Sequence, residues 1–405
     1  MSSPEKMVSG GRRLRRGALL PLVVLIAAGV QVPAVLALGH VTGQLSLVIV
    51  GAAALTGAFL TSFGGPRSVW GSPSRARLFL VMWPFFMWWT VSLMSVLLAP
   101  LALAARFIFL VSTAPVLAAW MGLAGICAAV TLWQRPRIRR YVVDVEGLPE
   151  LFEGYRLAQI SDLHCGPFAS GPRVLRWVST VNAQDADLIA VTGDLIASGA
   201  AFVPVVASAL GGLRARDGVF ASMGNHDYFT DGESLVTALE GHGVTVLRNR
   251  GVDIVRGSSA IHVAGADDTW SKRADMDRTL AGRRPETPVV LLAHDPELFL
   301  DAVDRGVALT LSGHTHGGQL GLPLFARKLN LARLMTPFTT GFYRVGQATL
   351  YVNRGLGTTG PPVRLGVPPE IAVFTLRRAV PATVKELNPS RRPLVGDPVP
   401  ASARG

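Results

Sequence analysis

The sequence has few charged residues and almost no cysteine. Of its 405 residues, 16% are charged, whereas 49% are hydrophobic. This balance excludes a chain that is disordered over most of its length, and it is unusual for a soluble protein. The two cysteines, Cys127 and Cys165, are too few for a disulfide framework, which is compatible with a reducing compartment.

Acidic residues are nearly absent from the first 140 positions. This region contains 13 basic residues and a single acidic one, Glu5, so it carries the whole formal net charge of +12. The remaining 265 residues contain 26 residues of each sign. The positive charge is confined to the flanks of apolar segments. It therefore indicates a lipid bilayer as a partner and gives no support to a nucleic-acid partner.

Four long stretches of the N-terminal region contain no charged residue at all. They cover residues 17–39, 41–63, 78–105 and 107–134. A membrane-spanning helix needs about 20 apolar residues, and a charge in the hydrocarbon core costs about 2.5–3.5 kcal/mol. The sequence therefore predicts four transmembrane helices, preceded by a basic tail over residues 1–16.

The distribution of basic residues predicts the orientation of these helices. With four spans, 12 basic residues fall on one side of the membrane and only Arg106 on the other. Because cytoplasmic loops carry the excess of lysine and arginine, we expect a multi-pass protein of the cell membrane with everything after Arg140 in the cytoplasm. A competing interpretation is a twin-arginine export leader at Arg12 and Arg13. The apolar run is long for a leader, however, and three more runs follow.

Residues 141–378 change to short β-rich runs and form one predicted domain, large enough for a substantial core. The pattern predicts helices at 172–182 and 232–241 and strands at 156–160, 188–192, 219–223, 261–264, 289–293, 307–311, 349–352 and 371–376. Strand and helix alternate at first and strands dominate later, which predicts an α/β fold whose sheets pack as a layered sandwich. Residues 381–405, rich in Pro, Arg and Ser, are expected to be a disordered tail.

Polar residues that bind metals follow five of the predicted strands, where loops leave a rigid scaffold and can converge. In chain order the motifs are Ser161-Asp162-Leu163-His164, Thr192-Gly193-Asp194, Gly224-Asn225-His226-Asp227, Ala293-His294-Asp295 and Ser312-Gly313-His314-Thr315-His316. Two ligands separated by one residue can bend toward a single ion. Gly193, Gly224 and Gly313 would let the backbone approach the ions closely.

The donors in these motifs are carboxylates, imidazoles and an amide oxygen. Without a thiolate among them, the set suits Mn, Fe or Zn better than a structural zinc site built on cysteine. Cys165 follows His164 directly, but because thiolate is not part of the pattern, we expect it to be a buried loop residue and not a ligand. His40, His242 and His262 lie outside the motifs and are expected to be packed or surface residues.

These ordered motifs resemble the calcineurin-like metallophosphoesterase superfamily, and the resemblance covers residues 141–376. Within it, the runs at 161–166, 313–319 and 353–357 are similar to the bacterial membrane-associated phosphodiesterases that include YkuE-like and YaeI-like proteins. The resemblance implies a four-layer α-β-β-α sandwich, here preceded by the four-helix transmembrane region.

The resemblance also implies a role for each matching residue. One metal ion would be held by Asp162, His164 and His316, a second by Asn225, His294 and His314, and Asp194 would bridge the two. His226 would protonate the leaving oxygen and Asp227 would orient its ring, the alternative for His226 being a structural role. Arg354 and Arg364 are candidates to bind the phosphate oxygens, and an ion pair is the alternative for Arg354.

The implied reaction is phosphoester hydrolysis. Two divalent ions about 3.5–4 Å apart acidify a bridging water, and the resulting hydroxide would attack phosphorus in line with the departing alcohol. Serine/threonine phosphatases of this superfamily have a glutamate and an Asp-Arg-Gly at positions where this chain has Asp227 and Leu195-Ile196-Ala197. Purple acid phosphatases require a tyrosine a few residues after the bridging aspartate, and none closely follows Asp194. Both classes are therefore disfavoured. We therefore expect a membrane-anchored enzyme acting on phosphodiester or pyrophosphate bonds, with a lipid-linked or nucleotide-linked phosphoester as substrate.

Two other functions compete with this hypothesis. One is a catalytically silent, metal-binding membrane scaffold or sensor, and the complete set of candidate ligands argues against it. The other is a transporter or channel formed by the four spans. Their lack of charged residues argues against an ion pathway.

Overall fold

The computed structural model describes residues 16–60, 74–109, 134–197, 199–229, 231–321, 329–360 and 362–379, with single positions between 116 and 133. The predicted basic tail apart from Arg16, most of the predicted fourth span (107–134) and the predicted C-terminal tail lie outside the described residues. The chain divides into two compact units, Met1–Phe59 with Pro84–Ile126 and Leu60–Trp83 with Cys127–Gly405.

The first unit is helical and strongly apolar. Its residues lie in helices α1 (Arg16–Thr42), α2 (Leu45–Leu60) and α3 (Trp83–Phe109). A π-helical turn, Leu78–Met82, precedes α3. The buried amide oxygen of Gln31 accepts hydrogen bonds from Trp88 Nε1 at 2.7 Å and from Thr56 Oγ1 at 3.3 Å. Such polar contacts hold apolar helices in register, because a buried amide without a partner is costly.

One helical stretch among the described residues, Leu78–Val96, is long and apolar enough to cross a membrane. The predicted spans at 17–39 and 41–63 coincide with α1 and α2, whose described apolar parts, Ala28–Thr42 and Leu45–Leu60, are shorter than a full span. The four-helix transmembrane region therefore stays a prediction.

The second unit is built on two six-stranded sheets, counted over its described residues. The first sheet has the order β1 (Arg137–Val145), β12 (Glu370–Arg378), β2 (Arg156–Ile160), β3 (Leu188–Thr192), β4 (Val219–Ser222) and β5 (Thr245–Val246). The second sheet has the order β10 (Gly341–Val345), β11 (Ala348–Val352), β9 (Leu309–Ser312), β8 (Val289–Leu292), β7 (Ser259–Gly265) and β6 (Arg250–Arg256).

Both sheets are mixed, with a parallel centre. Strands β2 to β5 run parallel, as do β7, β8, β9 and β11, whereas β12 is antiparallel to β2, and the hairpins β6–β7 and β10–β11 are antiparallel. Parallel strands at the centre of a sheet are covered on both faces and read as continuous apolar runs. All five residues of β3, with the sequence LIAVT, are buried.

Helices cover the outer face of each sheet. Helices α4 (Gly171–Asn182), α5 (Val203–Leu210) and α6 (Gly232–Gly241) share a core with the first sheet, and α7 (Met276–Thr279) and α8 (Leu298–Asp304) share one with the second. A third core, which includes Leu157, Leu188, Val263 and Leu309, fills the space between the two sheets. The layers are therefore helix, sheet, sheet and helix, as expected.

Helix α4 shows how the sequence specifies these layers. Pro172 stands in its first turn, where the missing N–H costs nothing, and Val174, Trp177, Val178 and Val181 are buried. Their spacing of three and four residues puts all four on one face, against the first sheet. Truncating a buried residue such as Trp177 to alanine costs about 3–5 kcal/mol.

The eight predicted strands and two predicted helices are confirmed, with ends that differ by no more than two residues. Strands β1, β5, β6 and β10 were not predicted from sequence. In β1 and β6 the arginines and Asp253 interrupt the apolar pattern, because these strands lie at sheet edges and keep one side in solvent. Strand β1 begins at Arg137, so the folded domain includes four residues that precede the expected boundary at 141.

Candidate metal centre

The five predicted motifs meet at one edge of the two sheets. Asp162, Asp194 and Asn225 follow the parallel strands β2, β3 and β4, and His294 and His314 follow β8 and β9 of the second sheet. The carboxyl ends of parallel strands point to the same edge, so the loops that follow them converge. A direct bond joins the two sheets here, because the backbone N–H of His314 donates to the Asp162 carboxylate at 3.0 Å.

A first cluster contains four of the predicted ligands, and their ligating atoms all lie within 4.8 Å of one another: Asp162, His164, Asp194 and His316. His164 Nε2 lies 2.9 Å from His316 Nε2 and 3.5 Å from Asp194 Oδ2. His316 Nε2 is 3.4 Å from Asp162 Oδ1. All four side chains are buried.

A second cluster shares Asp194 with the first and adds His294 and His314. The same carboxylate oxygen, Oδ2 of Asp194, is 3.3 Å from His294 Nε2. His314 Nδ1 lies 3.2 Å from His294 Nε2 and 3.1 Å from the amide oxygen of Asn225. The structure thus brings all seven predicted ligands together, with Asp194 between the two groups.

The spacing of these atoms fits metal ligation. Two nitrogen ligands about 2.1 Å from one ion and at about a right angle lie about 3.0 Å apart. The contacts within both clusters span 2.9 to 3.5 Å, and two of them, His164 to His316 and His294 to His314, join two imidazole nitrogens. Nitrogen and oxygen donors without thiolate are suited to Mn, Fe or Zn.

A backbone carbonyl next to the site fixes the orientation of His294. Its Nδ1 is 2.9 Å from the carbonyl oxygen of Thr192, to which it donates, so Nε2 is the ring nitrogen that faces Asp194 and His314. A ligating histidine usually donates its other ring N–H to such an oxygen, which sets the tautomer. Gly193 lies against this ring, since a Cβ there would stand 2.5 Å from His294 Nδ1.

The backbone carries strain at the ligands. Among the described residues, nine non-glycine residues have positive φ, and five of them are Asp162, His164, Asp194, His314 and His316, with φ between 44° and 70°. This left-handed conformation is uncommon outside glycine and collects at functional sites, where the surrounding fold holds it in place. Gly313 allows the close approach of the two sheets, because a Cβ on it would meet Ser161 Oγ and Asp162 Oδ2.

Burial and nearby charges tune the protonation of the site. Burial lowers the pKa of His164 to about 3 and of His316 well below its ordinary value, so both rings are neutral, the form that binds metal. Burial raises the pKa of Asp162 to about 7, since its charge is poorly solvated there.

Asp194 and His294 form a coupled pair. Burial works against the charge of Asp194, but the adjacent His294 and His164 hold the pKa of this carboxyl well below its ordinary value. Burial likewise works against a charged His294, and the Asp194 carboxylate raises its pKa to about 10. Asp194 is therefore anionic and attracts positive charge, which is the electrostatic condition for binding a cation.

His226 lies beside the clusters and lines the cavity above them. Its Nδ1 is 2.7 Å from the carbonyl oxygen of Ala197, to which it donates, and its ring packs edge-on against His164 with centroids 4.6 Å apart. Its backbone N–H donates to Asp194 Oδ1 at 2.9 Å. The ring is thus oriented by a backbone carbonyl, a partner that leaves no signal in the sequence.

The structure gives Asp227 hydrogen-bond partners in the backbone, and its expected role in orienting the His226 ring stays a prediction. This buried carboxylate accepts backbone N–H groups from Leu195 at 2.8 Å, Ile196 at 3.2 Å and Gly224 at 2.9 Å, and the contact that orients His226 comes from Ala197. Asp227 fastens the loop after β3 to the loop after β4, the two loops that carry Asp194 and Asn225.

The two predicted phosphate-binding arginines are placed differently. Arg364 is buried, donates to the carbonyl oxygens of Gly357 and Val367, and lies 3.3 Å from His316 Nδ1. Arg354 Nε donates to Thr340 Oγ1 at 3.1 Å and lies 3.6 Å from Glu370. Arg354 therefore has an ion-pair partner in Glu370, and Arg364 is surrounded by carbonyl oxygens and a candidate ligand; neither arginine is among the described residues that line the cavity.

A cavity of about 560 Å³ opens above the ligands. Its floor contains Asp194, Asn225 and His314 with the neighbouring His226 and His316, and its walls contain residues that sequence reasoning missed, among them Phe229, Trp270 and Met335. The Trp270 ring lies 5.3 Å from the His314 ring. Single aromatic and methionine residues in loops carry no spacing signal, so only the fold could bring them to the site.

Comparison with known proteins agrees with this geometry. The model of the family described as Calcineurin-like phosphoesterase matches residues 155–318, a range that contains all seven candidate ligands and His226. The Bacillus subtilis protein named Uncharacterized metallophosphoesterase YkuE is 35% identical over 243 residues, which cover 57% of this chain and 82% of that protein. An Uncharacterized metallophosphoesterase of Aquifex aeolicus is 30% identical over 248 residues, covering 60% of this chain and 92% of that protein.

A vertebrate relative is named for both a membrane region and a catalytic domain. The Danio rerio protein Transmembrane protein with metallophosphoesterase domain is 36% identical over 260 residues, or 61% of this chain. The matched region spans 58% of the length of that relative. The similarity thus extends to proteins whose names include a transmembrane part.

Proposed function

Because the chain belongs to the calcineurin-like metallophosphoesterase family of metal-dependent phosphoric ester hydrolases, we propose that it hydrolyses phosphodiester or pyrophosphate bonds with two divalent metal ions. One observation carries the proposal. The Asp194 oxygen Oδ2 lies 3.5 Å from a nitrogen of the first ligand cluster and 3.3 Å from a nitrogen of the second. A single carboxylate shared by two ligand groups is the arrangement that a pair of adjacent cations requires.

The ligand sets follow from the two clusters. Asp162, His164 and His316 would hold one ion, Asn225, His294 and His314 the other, and Asp194 would bridge them. When bound, two such ions supply Lewis-acid chemistry, since they stabilise negative charge on phosphoryl oxygens and lower the pKa of water. The donor types favour Mn, Fe or Zn.

His226 would act as the general acid. Its Nδ1 donates to the Ala197 carbonyl, so Nε2 is the ring nitrogen that would deliver a proton to the departing oxygen at the cavity. Proton transfer from His226 would let the group depart as an alcohol and not as the much less stable alkoxide. Asp227 contributes indirectly, by fixing the loops that carry Asp194, Asn225 and His226.

The walls of the cavity favour a phosphoester with a sizeable substituent. A cavity of about 560 Å³ lies within the range of ordinary small-molecule sites.

Arg364 would keep His316 in place and neutral instead of binding phosphate, because its guanidinium already donates to carbonyl oxygens.

The domain would be anchored to a membrane by the four spans predicted at 17–134, with the metal centre in the cytoplasm. The helix Leu78–Val96, the 12 to 1 distribution of basic residues and the name of the zebrafish relative support this anchoring. A reporter fused after Gly405 should be active only in its cytoplasmic form. Activity of an exported reporter would place the enzyme outside and favour the leader interpretation.

The catalytic proposal is tested with the full chain in detergent, loaded with Mn²⁺. We expect hydrolysis of bis-p-nitrophenyl phosphate to exceed that of p-nitrophenyl phosphate, to require metal, and to fall about a hundredfold or more in Asp194→Asn, together with bound Mn²⁺. Asp185→Asn, an exposed carboxylate away from the ligands, serves as the matched control. A folded protein that binds two ions and hydrolyses neither ester would instead be a silent scaffold or sensor.

A further inference from the structure

The cavity has a polar floor and an apolar rim. The candidate ligands and His226 in its lining are buried or half-buried, whereas Phe229, Trp270 and Met335 in the same lining are exposed. Leu334, adjacent to Met335, is 86% exposed, Met335 is 72% exposed and Phe229 is 60% exposed. Within the described part of residues 137–379, these three are the most exposed large apolar side chains, and two of them, Phe229 and Met335, line the cavity.

Hydrogen bonds hold the rim in this exposed position. Asn330 caps the turn Leu331–Leu334 by accepting the backbone N–H of Arg333 at 3.2 Å, and so presents Leu334 and Met335 outward. On the other wall, Asp268 accepts the backbone N–H groups of Trp270 and Ser271 and holds Trp270 58% exposed. Large apolar groups that a fold keeps in solvent mark a binding surface, since exposing them costs free energy.

The charges of the wall discriminate between substrate classes. The described lining residues include no lysine or arginine, and Asp295 and Glu297 add negative charge near the entrance. A nucleotide or another polyanion needs cationic donors along its phosphates. A single phosphodiester held at the metal centre, with an uncharged apolar substituent along the rim, needs none.

We propose that the substrate is a phosphodiester that carries an extended apolar chain, as a lipid in the bilayer does. Its phosphate lies at the metal centre, and its chain lies against Phe229, Trp270 and Met335. This inference rests on the proposed function and specifies its substrate. We take the bilayer as the source because charge-free segments precede the domain in the sequence and, in the anchoring proposed above, would attach the domain to a membrane.

A matched pair of chromogenic diesters tests the inference. The full chain in detergent, loaded with Mn²⁺, is given p-nitrophenyl methyl phosphate or p-nitrophenyl hexyl phosphate, which share a leaving group and differ only in apolar length. We expect kcat/KM to be about tenfold or more higher for the hexyl ester, because the added methylene groups leave water at the rim. The ratio of the two values cancels any general loss of catalysis in a variant.

Variants of the rim show where the preference arises. Met335→Ser and Trp270→Ala should each lower the hexyl to methyl ratio severalfold, whereas Leu175→Ser, an exposed leucine of α4 outside the cavity lining, should leave it unchanged. Hydrolysis of both esters with a ratio near one, or a ratio that rim variants do not change, would overturn the inference and leave the phosphodiesterase intact. Failure to hydrolyse either ester would overturn both.

A separate experiment tests whether the substrate is a lipid of the bilayer. The full chain is reconstituted in phosphatidylcholine vesicles that contain the p-nitrophenyl ester of phosphatidic acid, which has the same leaving group on a membrane lipid. We expect steady release of p-nitrophenolate that Met335→Ser reduces. A protein that prefers the hexyl ester in detergent but never cleaves the vesicle lipid would contradict the assignment of a bilayer substrate.

Discussion

The hydroxyl of Thr131 is hydrogen-bonded to both backbone groups of Arg364. It accepts the N–H of Arg364 at 2.8 Å and donates to its carbonyl oxygen at 3.2 Å, and both residues are buried. Arg364 in turn lies 3.3 Å from the ring of His316. The segment that precedes β1 is therefore linked, through one arginine, to a candidate metal ligand.

Replacing Thr131 by valine should destabilise the protein. Valine has nearly the same shape but leaves the buried N–H of Arg364 without its acceptor, at a cost of about 1–3 kcal/mol. We expect the melting temperature of the full chain to fall by several degrees and its affinity for Mn²⁺ to decrease. Thr180→Val, which removes an exposed hydroxyl bonded within α4, is the control, and equal melting temperatures for the two variants would contradict the link.

Replacing Asp227 by asparagine should reduce stability without shifting the alkaline limb of the pH–rate profile, where the general acid loses its proton. An asparagine NH₂ cannot accept from a backbone N–H, so at least one of three buried donors loses its partner, at a cost of about 1–3 kcal/mol. Because Ala197 orients His226, the apparent pKa in the pH–rate profile should stay in place.

The control for this variant is Asp231→Asn, since asparagine also caps a helix well. Thermal melts and pH–rate profiles of the two variants are compared. A shifted profile with an unchanged melting temperature would show that Asp227 has the role expected from sequence.

Replacing Gly313 by alanine should remove at least one of the two metal ions. The added Cβ would overlap Ser161 Oγ and Asp162 Oδ2, so either the loop after β9 or the loop after β2 must move, and the ligands move with it. We expect bound Mn²⁺, measured by elemental analysis after gel filtration, to fall from two ions per chain to one or fewer. In Gly241→Ala the new methyl group meets open space, and metal content should not change.

Cys165 should be unreactive in the folded protein. The side chain is fully buried, and burial raises the pKa of its thiol to about 12, so at pH 8 only about one molecule in ten thousand carries the thiolate. In a Cys127→Ser background, Ellman's reagent should therefore detect one thiol only after denaturation. Rapid reaction of the native protein would show that the loop after β2 opens.

Much of the site was predictable because each ligand follows a buried strand and carries a local signal. The parallel order of β2, β3 and β4 then brings Asp162, Asp194 and Asn225 to one edge without any further information. The role of Asp227 was not predictable in this way. Its partners are backbone N–H groups, which every residue possesses, so no side-chain pattern indicates them.

The position of Arg364 and the existence of strand β1 could not be predicted from the sequence either. Arg364 is a buried cation, and sequence composition places arginine at the surface or on a phosphate, whereas here carbonyl oxygens and His316 surround it. Strand β1 was hidden because its arginines look like the basic flank of a membrane helix. Only its pairing with β12, residue by residue from Arg137 to Val145, shows that they belong to a sheet.

The position of β12 has a consequence for synthesis of the protein. This last strand lies between β1 and β2, so the first strands to leave the ribosome cannot take their final places until the last one arrives. Residues 161–369 separate β2 from β12, and at about 5–20 residues per second their translation takes roughly 10–40 s. During that interval the nascent chain exposes the edges of β1 and β2, and a chaperone that shields strand edges would raise the yield of folded protein.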